Sequence, residues 1–156
     1  MNTVLLILVG ALTKAGIYFL IASGLTLVFG VGQIINFAHG SFYVLAMYIT
    51  YTLAVKVFGG GAYSFWPAFI LAPIMIGILG LMIEKFLLSR VYGKEHLVQL
   101  ILTYGLVFIF SDLFKIVWGV YPVIVPHSDL FGGSIAVMQT FVPQFNLVII
   151  AFAIIV

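Results

Sequence analysis

Two polar side chains, Asn36 and His39, interrupt a long apolar stretch, and Gly30, Gly32 and Gly40 flank them within eleven residues. A helix broken at that point frees backbone carbonyls and amides. Inside a bilayer such irregular backbone persists only where it is buried in protein or lines a water-filled cavity, so Asn36, His39 and Gly40 are candidates for a solute pathway. The same side chains can instead hydrogen-bond the freed groups and close the break without touching solute. Either role puts the break in the interior of a helix bundle. Asp112 and Lys115 stand three residues apart, which on a helix predicts a structural ion pair rather than a proton relay. Lys14 lies inside the first apolar run, where its long side chain can reach toward the interface. Glu84, Lys85, Arg90, Lys94, Glu95 and His96 crowd into one short stretch that reads as a solvated turn.

Catalysis finds no support in these residue types. The sequence holds no cysteine, no phosphate-binding G-x-x-x-x-G-K-[ST] loop and no H-E-x-x-H. His39, His96 and His127 fall on three segments without metal-ligand spacing, and Ser41 beside His39 is too generic to suggest a hydrolase. No catalytic, cofactor-binding or metal-binding residue is therefore expected. Six scattered basic residues make no nucleic-acid surface.

The elements that must position these groups follow from composition. Apolar residues make up 65% of the chain and charged residues 6%, too few to cover a water-soluble globule. Lipid is the solvent that accepts such a surface. A spanning helix needs about 20 apolar residues. Runs from Val4 to about Gly30, Phe42 to Phe58, Trp66 to about Leu88 and Leu97 to about Trp118 meet or approach that length. A loop rich in turn residues follows, with Tyr121-Pro122, Pro126, His127, Asp129 and Gly132-Gly133-Ser134, ending at Pro143. Asn146 to Val156 then begins a fifth run that is too short to cross. The expectation is an all-α polytopic transmembrane bundle in one domain, residues 1–156, with four complete spans, a truncated fifth and a broken segment around Asn36 to Gly40. Met1-Asn2-Thr3 lacks the basic region of a secretory signal, so the first run is read as retained. Lys85, Arg90 and Lys94 make the Glu84 to His96 loop cytoplasmic, which places the N-terminus outside.

The run Gly24-Leu25-Thr26-Leu27-Val28-Phe29-Gly30, followed by Ile35-Asn36-Phe37-Ala38-His39-Gly40 and then Tyr43 and Leu45, resembles the LivH-type permeases of branched-chain amino acid ABC importers. A second stretch continues the likeness: Glu84, Arg90, Tyr92-Gly93, Gln99, Leu102-Thr103-Tyr104-Gly105-Leu106, Asp112, Lys115 and Trp118-Gly119. Ala46, Lys14 and Asn146 depart from the pattern. The resemblance covers nearly the whole chain but only the N-terminal half of a family member, whose second half carries the segment that docks on the ATPase. It implies a permease subunit in the bacterial or archaeal cytoplasmic membrane, working with a second permease subunit, two ATP-binding subunits and an extracytoplasmic solute-binding protein. ATP and magnesium would belong to the partners, and Glu84 and Arg90 become candidates for a loop facing the ATPase. The cargo would be branched-chain amino acids or another small polar solute, with urea and short-chain amides as alternatives. An ion-coupled secondary transporter and a structural membrane protein without transport activity are the rival readings.

Overall fold

The computed structural model describes residues 2–32, 35–61, 63–125, 133–137 and 140–156. Pro126, His127, Asp129 and Gly132, which the sequence places in the outer loop, lie outside the described residues. The described residues form five α-helices: α1 (Asn2–Gly32), α2 (His39–Tyr51), α3 (Phe65–Phe86), α4 (His96–Trp118) and α5 (Gln144–Ile155). A π-helical stretch, Thr52–Val57, prolongs α2, and a 3-10 turn, Leu88–Val91, follows α3. Four of these segments are long and apolar enough to cross a bilayer: Thr3–Gly32, His39–Val57, Phe65–Val91 and His96–Trp118. The all-α transmembrane expectation holds, and α5 is the shorter apolar helix read as a fifth run.

Local chemistry sets the helix boundaries. α2 and its extension end where Gly59 and Gly60 adopt φ of 79° and 72°, a left-handed backbone that side chains with a Cβ rarely tolerate. α4 stops in the same way at Gly119, with φ of 85°, whose N–H donates to Lys115 O at 2.9 Å. Within α3, Pro73 removes one ladder donor, an interruption that spanning helices accommodate through neighbouring groups.

The chain divides into two compact units, Met1–Gly24 with His127–Val156, and Leu25–Pro126. In the first, α1 and α5 approach closely at Gly16, where an added Cβ would stand 3.2 Å from Ala153 Cβ. Small residues permit such approach where lipid supplies no hydrophobic drive between helices. This unit also departs from the sequence reading. The segment expected to be only a turn-rich loop contains two antiparallel strands, β1 (Ser134–Val137) and β2 (Thr140–Pro143), paired from Ser134 with Pro143 to Val137 with Thr140. Glycines and prolines around it dominate its composition, yet Ile135, Val137, Thr140, Phe141 and Val142 are β-branched or aromatic residues suited to strands. Val142 is almost fully buried.

In the second unit α2 packs against both α3 and α4. Ala38, Leu45, Ile49, Ala72, Leu106, Phe110 and Phe114 form its core. Phe42 meets Phe110 with ring centroids 5.3 Å apart, and Tyr48 stacks on Trp118 at 4.8 Å. By contrast Ile70, Ile74, Ile78 and Leu81 leave an apolar row along α3 exposed.

Candidate functional site

Between the end of α1 and the start of α2 the chain runs without helix through Ile35 and Asn36 and turns at Phe37 and Ala38. Asn36 is buried, and its Oδ1 accepts from the Ala38 N–H at 3.0 Å, a local turn that only Asn, Asp, Ser or Thr can make. Its carbonyl accepts from the His39 N–H at 3.2 Å, and Ala38 O accepts from Phe42 N at 3.1 Å to open α2. Ala38 is fully buried, so a larger residue there would push α2 away. His39 is half-buried at the first position of α2, while Gly40 beside it is exposed.

A residue from far along the chain completes the arrangement. Thr103, in the second turn of α4 and fully buried, lies with its hydroxyl 3.3 Å from Ile35 O, 3.0 Å from Gln99 O and 3.2 Å from Leu100 O. One hydroxyl proton serves these carbonyls in turn, so Thr103 links the break to α4. Sequence reading quoted Thr103 only as part of a motif. Nothing local signals that a threonine will meet a carbonyl 68 residues earlier. Among the described residues, therefore, Asn36 and Thr103 stitch the freed backbone, whereas His39 and Gly40 are the more open members of the set.

The loop before α4 is pinned by a second buried polar side chain. Gln99 Nε2 donates to Lys94 O at 3.2 Å and to Val91 O at 3.4 Å, while its Oε1 is buried without a partner among the described residues. Glu84 accepts from the Tyr92 hydroxyl, and Arg90 is exposed. Toward the far end of α4, Lys115 Nζ donates to Asp112 Oδ1 at 3.0 Å, with both side chains more than half exposed. Lys14 is exposed on α1, about 18 Å along the helix from Asn2. No group of three or more His, Asp or Glu side chains able to hold a metal occurs among the described residues.

Four bilayer-length helices, with a buried and hydrogen-bonded connection at Asn36 between the first and the second, define a polytopic helical membrane protein. The comparisons make the assignment specific. The family model described as branched-chain amino acid transport system, permease component, matches residues 7–156, and the chain belongs to that family, a transport component rather than an enzyme. It is 28% identical over 141 residues to the high-affinity branched-chain amino acid transport system permease protein LivH of Escherichia coli K12, covering 81% of this chain and 46% of that protein. With the corresponding permease protein BraD of Pseudomonas aeruginosa the identity is 29% over 135 residues, covering 81% and 44%. The probable branched-chain amino acid transport permease protein LivH of Methanocaldococcus jannaschii is 32% identical over 92 residues, covering 59% and 29%. The chain thus spans less than half the length of the curated relatives it matches. No solved structure matches it.

Proposed function

We propose that this chain supplies one part of the solute pathway in the permease subunit of an ATP-driven importer for branched-chain amino acids, as one permease domain. The observation that carries this reading is the family match across residues 7–156. A second permease subunit completes the pathway, two ATP-binding subunits holding ATP and magnesium drive it, and an extracytoplasmic solute-binding protein delivers cargo. His39 and Gly40 face the pathway, while Asn36 and Thr103 hold the break in shape. The complex sits in the cytoplasmic membrane with the Glu84 to His96 loop inside, Glu84 and Arg90 toward the ATPase, and the N-terminus outside.

Uptake in vesicles reconstituted with the partner subunits tests the proposal. Labelled leucine should accumulate only with ATP on the ATPase side, and dissipating proton and sodium gradients at constant ATP should leave the rate unchanged. Uptake that follows an ion gradient instead would overturn the reading, and preferential uptake of urea or acetamide would move the substrate class. For orientation, the absence of native cysteine allows single replacements: Ser89→Cys should be shielded from an impermeant thiol reagent on intact cells and Tyr121→Cys should react.

A further inference from the structure

Two connections lie at the same end of the second unit, because the two crossings α2 and α3 separate the stretch from Ile35 to Ala38 from the turn at residues 87–95. Both are fastened to α4. Its buried face reads Gln99, Thr103, Leu106, Phe110 and Phe114, polar at the start and apolar beyond. Gln99 and Thr103 stand four residues apart, one above the other on that face. They are 3% and 0% exposed, and they are the buried polar side chains of α4 among the described residues. From this face Gln99 holds the turn through Lys94 O at 3.2 Å and Val91 O at 3.4 Å, while Thr103 holds the connection through Ile35 O at 3.3 Å.

The pair is suited to opening as well as closing. The Thr103 hydroxyl has one proton, and Gln99 O, 3.0 Å away in the preceding turn, is an alternative acceptor to Ile35 O. Leaving Ile35 therefore costs the hydroxyl no partner. Gln99 Oε1 is buried without a partner among the described residues, a standing cost that entry of water would relieve. The bonds to Lys94 O, Val91 O and Ile35 O also lie at or beyond the long end of the usual hydrogen-bond range. Because the two side chains share one face, a small turn of α4 about its axis carries both off their carbonyls in the same direction.

We propose that Gln99 and Thr103 form one clasp, which closes both connections onto a single face of α4 so that they open and close together rather than separately. On the transport reading, the clasp carries a displacement of the loop holding Glu84 and Arg90 to the start of α2, where His39 and Gly40 stand. The clasp itself does not depend on that reading, and its test needs neither partner nor solute.

Amide hydrogen exchange of the 156-residue chain in lipid nanodiscs, resolved residue by residue, tests it. Ala38 and His39 report on the connection, since their N–H groups donate to Asn36 Oδ1 and Asn36 O. Arg90 and Lys94 report on the turn, donating to Leu87 O and Val91 O. Thr103→Val removes the hydroxyl with little change of shape, and Gln99→Ala removes the amide. Each should raise exchange at all four sites by about two- to tenfold, the change that loss of one ordinary hydrogen bond produces. The double variant should raise it by less than the product of the two single factors. Thr103→Ser, which keeps the hydroxyl, should leave exchange near native. Gly60 and Gly119, whose N–H groups donate to Ala54 O and Lys115 O at the other end of the unit, should not change. Effects confined to each variant's own connection would make the anchors independent and overturn the clasp. A double variant equal to the product, a Thr103→Ser effect as large as that of Thr103→Val, or an equal rise at Gly60 and Gly119 would overturn it too. None of these outcomes bears on the transport reading, whose failure would show only in uptake.

Discussion

The two ends of α4 are held by different chemistry. Near its start the anchors are polar: Gln99 donates to Val91 O and Lys94 O, and Thr103 reaches Ile35 O. At its other end they are aromatic: Phe110, Phe114 and Trp118 pack on Phe42 and Tyr48, with one hydrogen bond from Trp118 Nε1 to Thr52 Oγ1 at 2.8 Å. The difference follows the backbone opposite. A broken chain and a 3-10 turn leave carbonyls without helical partners at the first end, and each such group left unpaired when buried costs about 1–3 kcal/mol. The partner at the second end is mostly regular helix whose backbone is already satisfied, so aromatic contacts worth about 0.5–1.5 kcal/mol per pair suffice there. Even the π-helical stretch fits this division, because Thr52, its first residue, donates to Tyr48 O at 2.9 Å while accepting from Trp118.

The largest effect should come from the polar end. Asn36→Leu removes the acceptor for the buried Ala38 N–H and should destabilise the protein by about 1–3 kcal/mol, lowering melting temperature and assembly together with transport. His39→Leu should break the parallel: near-normal melting with loss of substrate-stimulated ATPase activity in the reconstituted complex, and partial rescue by His39→Gln. If both variants lose stability and activity in proportion, His39 is a second stitch rather than a pathway residue. If neither variant changes either readout, the break has no role at this end.

A smaller effect tests the aromatic end. Trp118→Phe keeps a ring against Tyr48 but loses the indole N–H, and should cost about 0.5–1.5 kcal/mol by thermal or denaturant unfolding. Thr52→Val removes the same bond, so the double variant should cost less than the sum of the two. Additive losses would show that the ring contacts alone hold this end. Last in size is the pair Asp112 and Lys115, more than half exposed and one helical turn apart. Asp112→Asn combined with Lys115→Gln should shift stability by less than about 1 kcal/mol. A larger loss would mean that charge also anchors the far end.

Much of this architecture was legible in the residues. The apolar runs, the glycine-bounded ends and the interruption at Asn36 and His39 follow from local pattern, and α4, from His96 to Trp118, lies within a residue of the run read from sequence, while α2 starts at His39, three residues before the run that begins at Phe42. The pairing of strands Ser134–Val137 and Thr140–Pro143 was not legible, because four-residue strands among glycines and prolines give too little alternation to outweigh their turn signals. Asn36 could be named but its role could not, since solute contact and backbone capping ask for the same side chain.

Composition and periodicity by themselves determined the membrane class, the number of long spans and the position of the break. A bilayer demands about 20 apolar residues per crossing and punishes unpaired backbone, and both constraints are written locally along the chain. Only the tertiary structure decided which groups satisfy the break. Thr103 meets Ile35 O across 68 residues, Gln99 pins the turn before α4, and Trp118 reaches Thr52 from the opposite end. Those meetings depend on how α2 and α4 lie side by side, a distance set by the fully buried Ala38 and by Leu45, Ile49, Leu106 and Phe110 packing together rather than by any one segment's pattern.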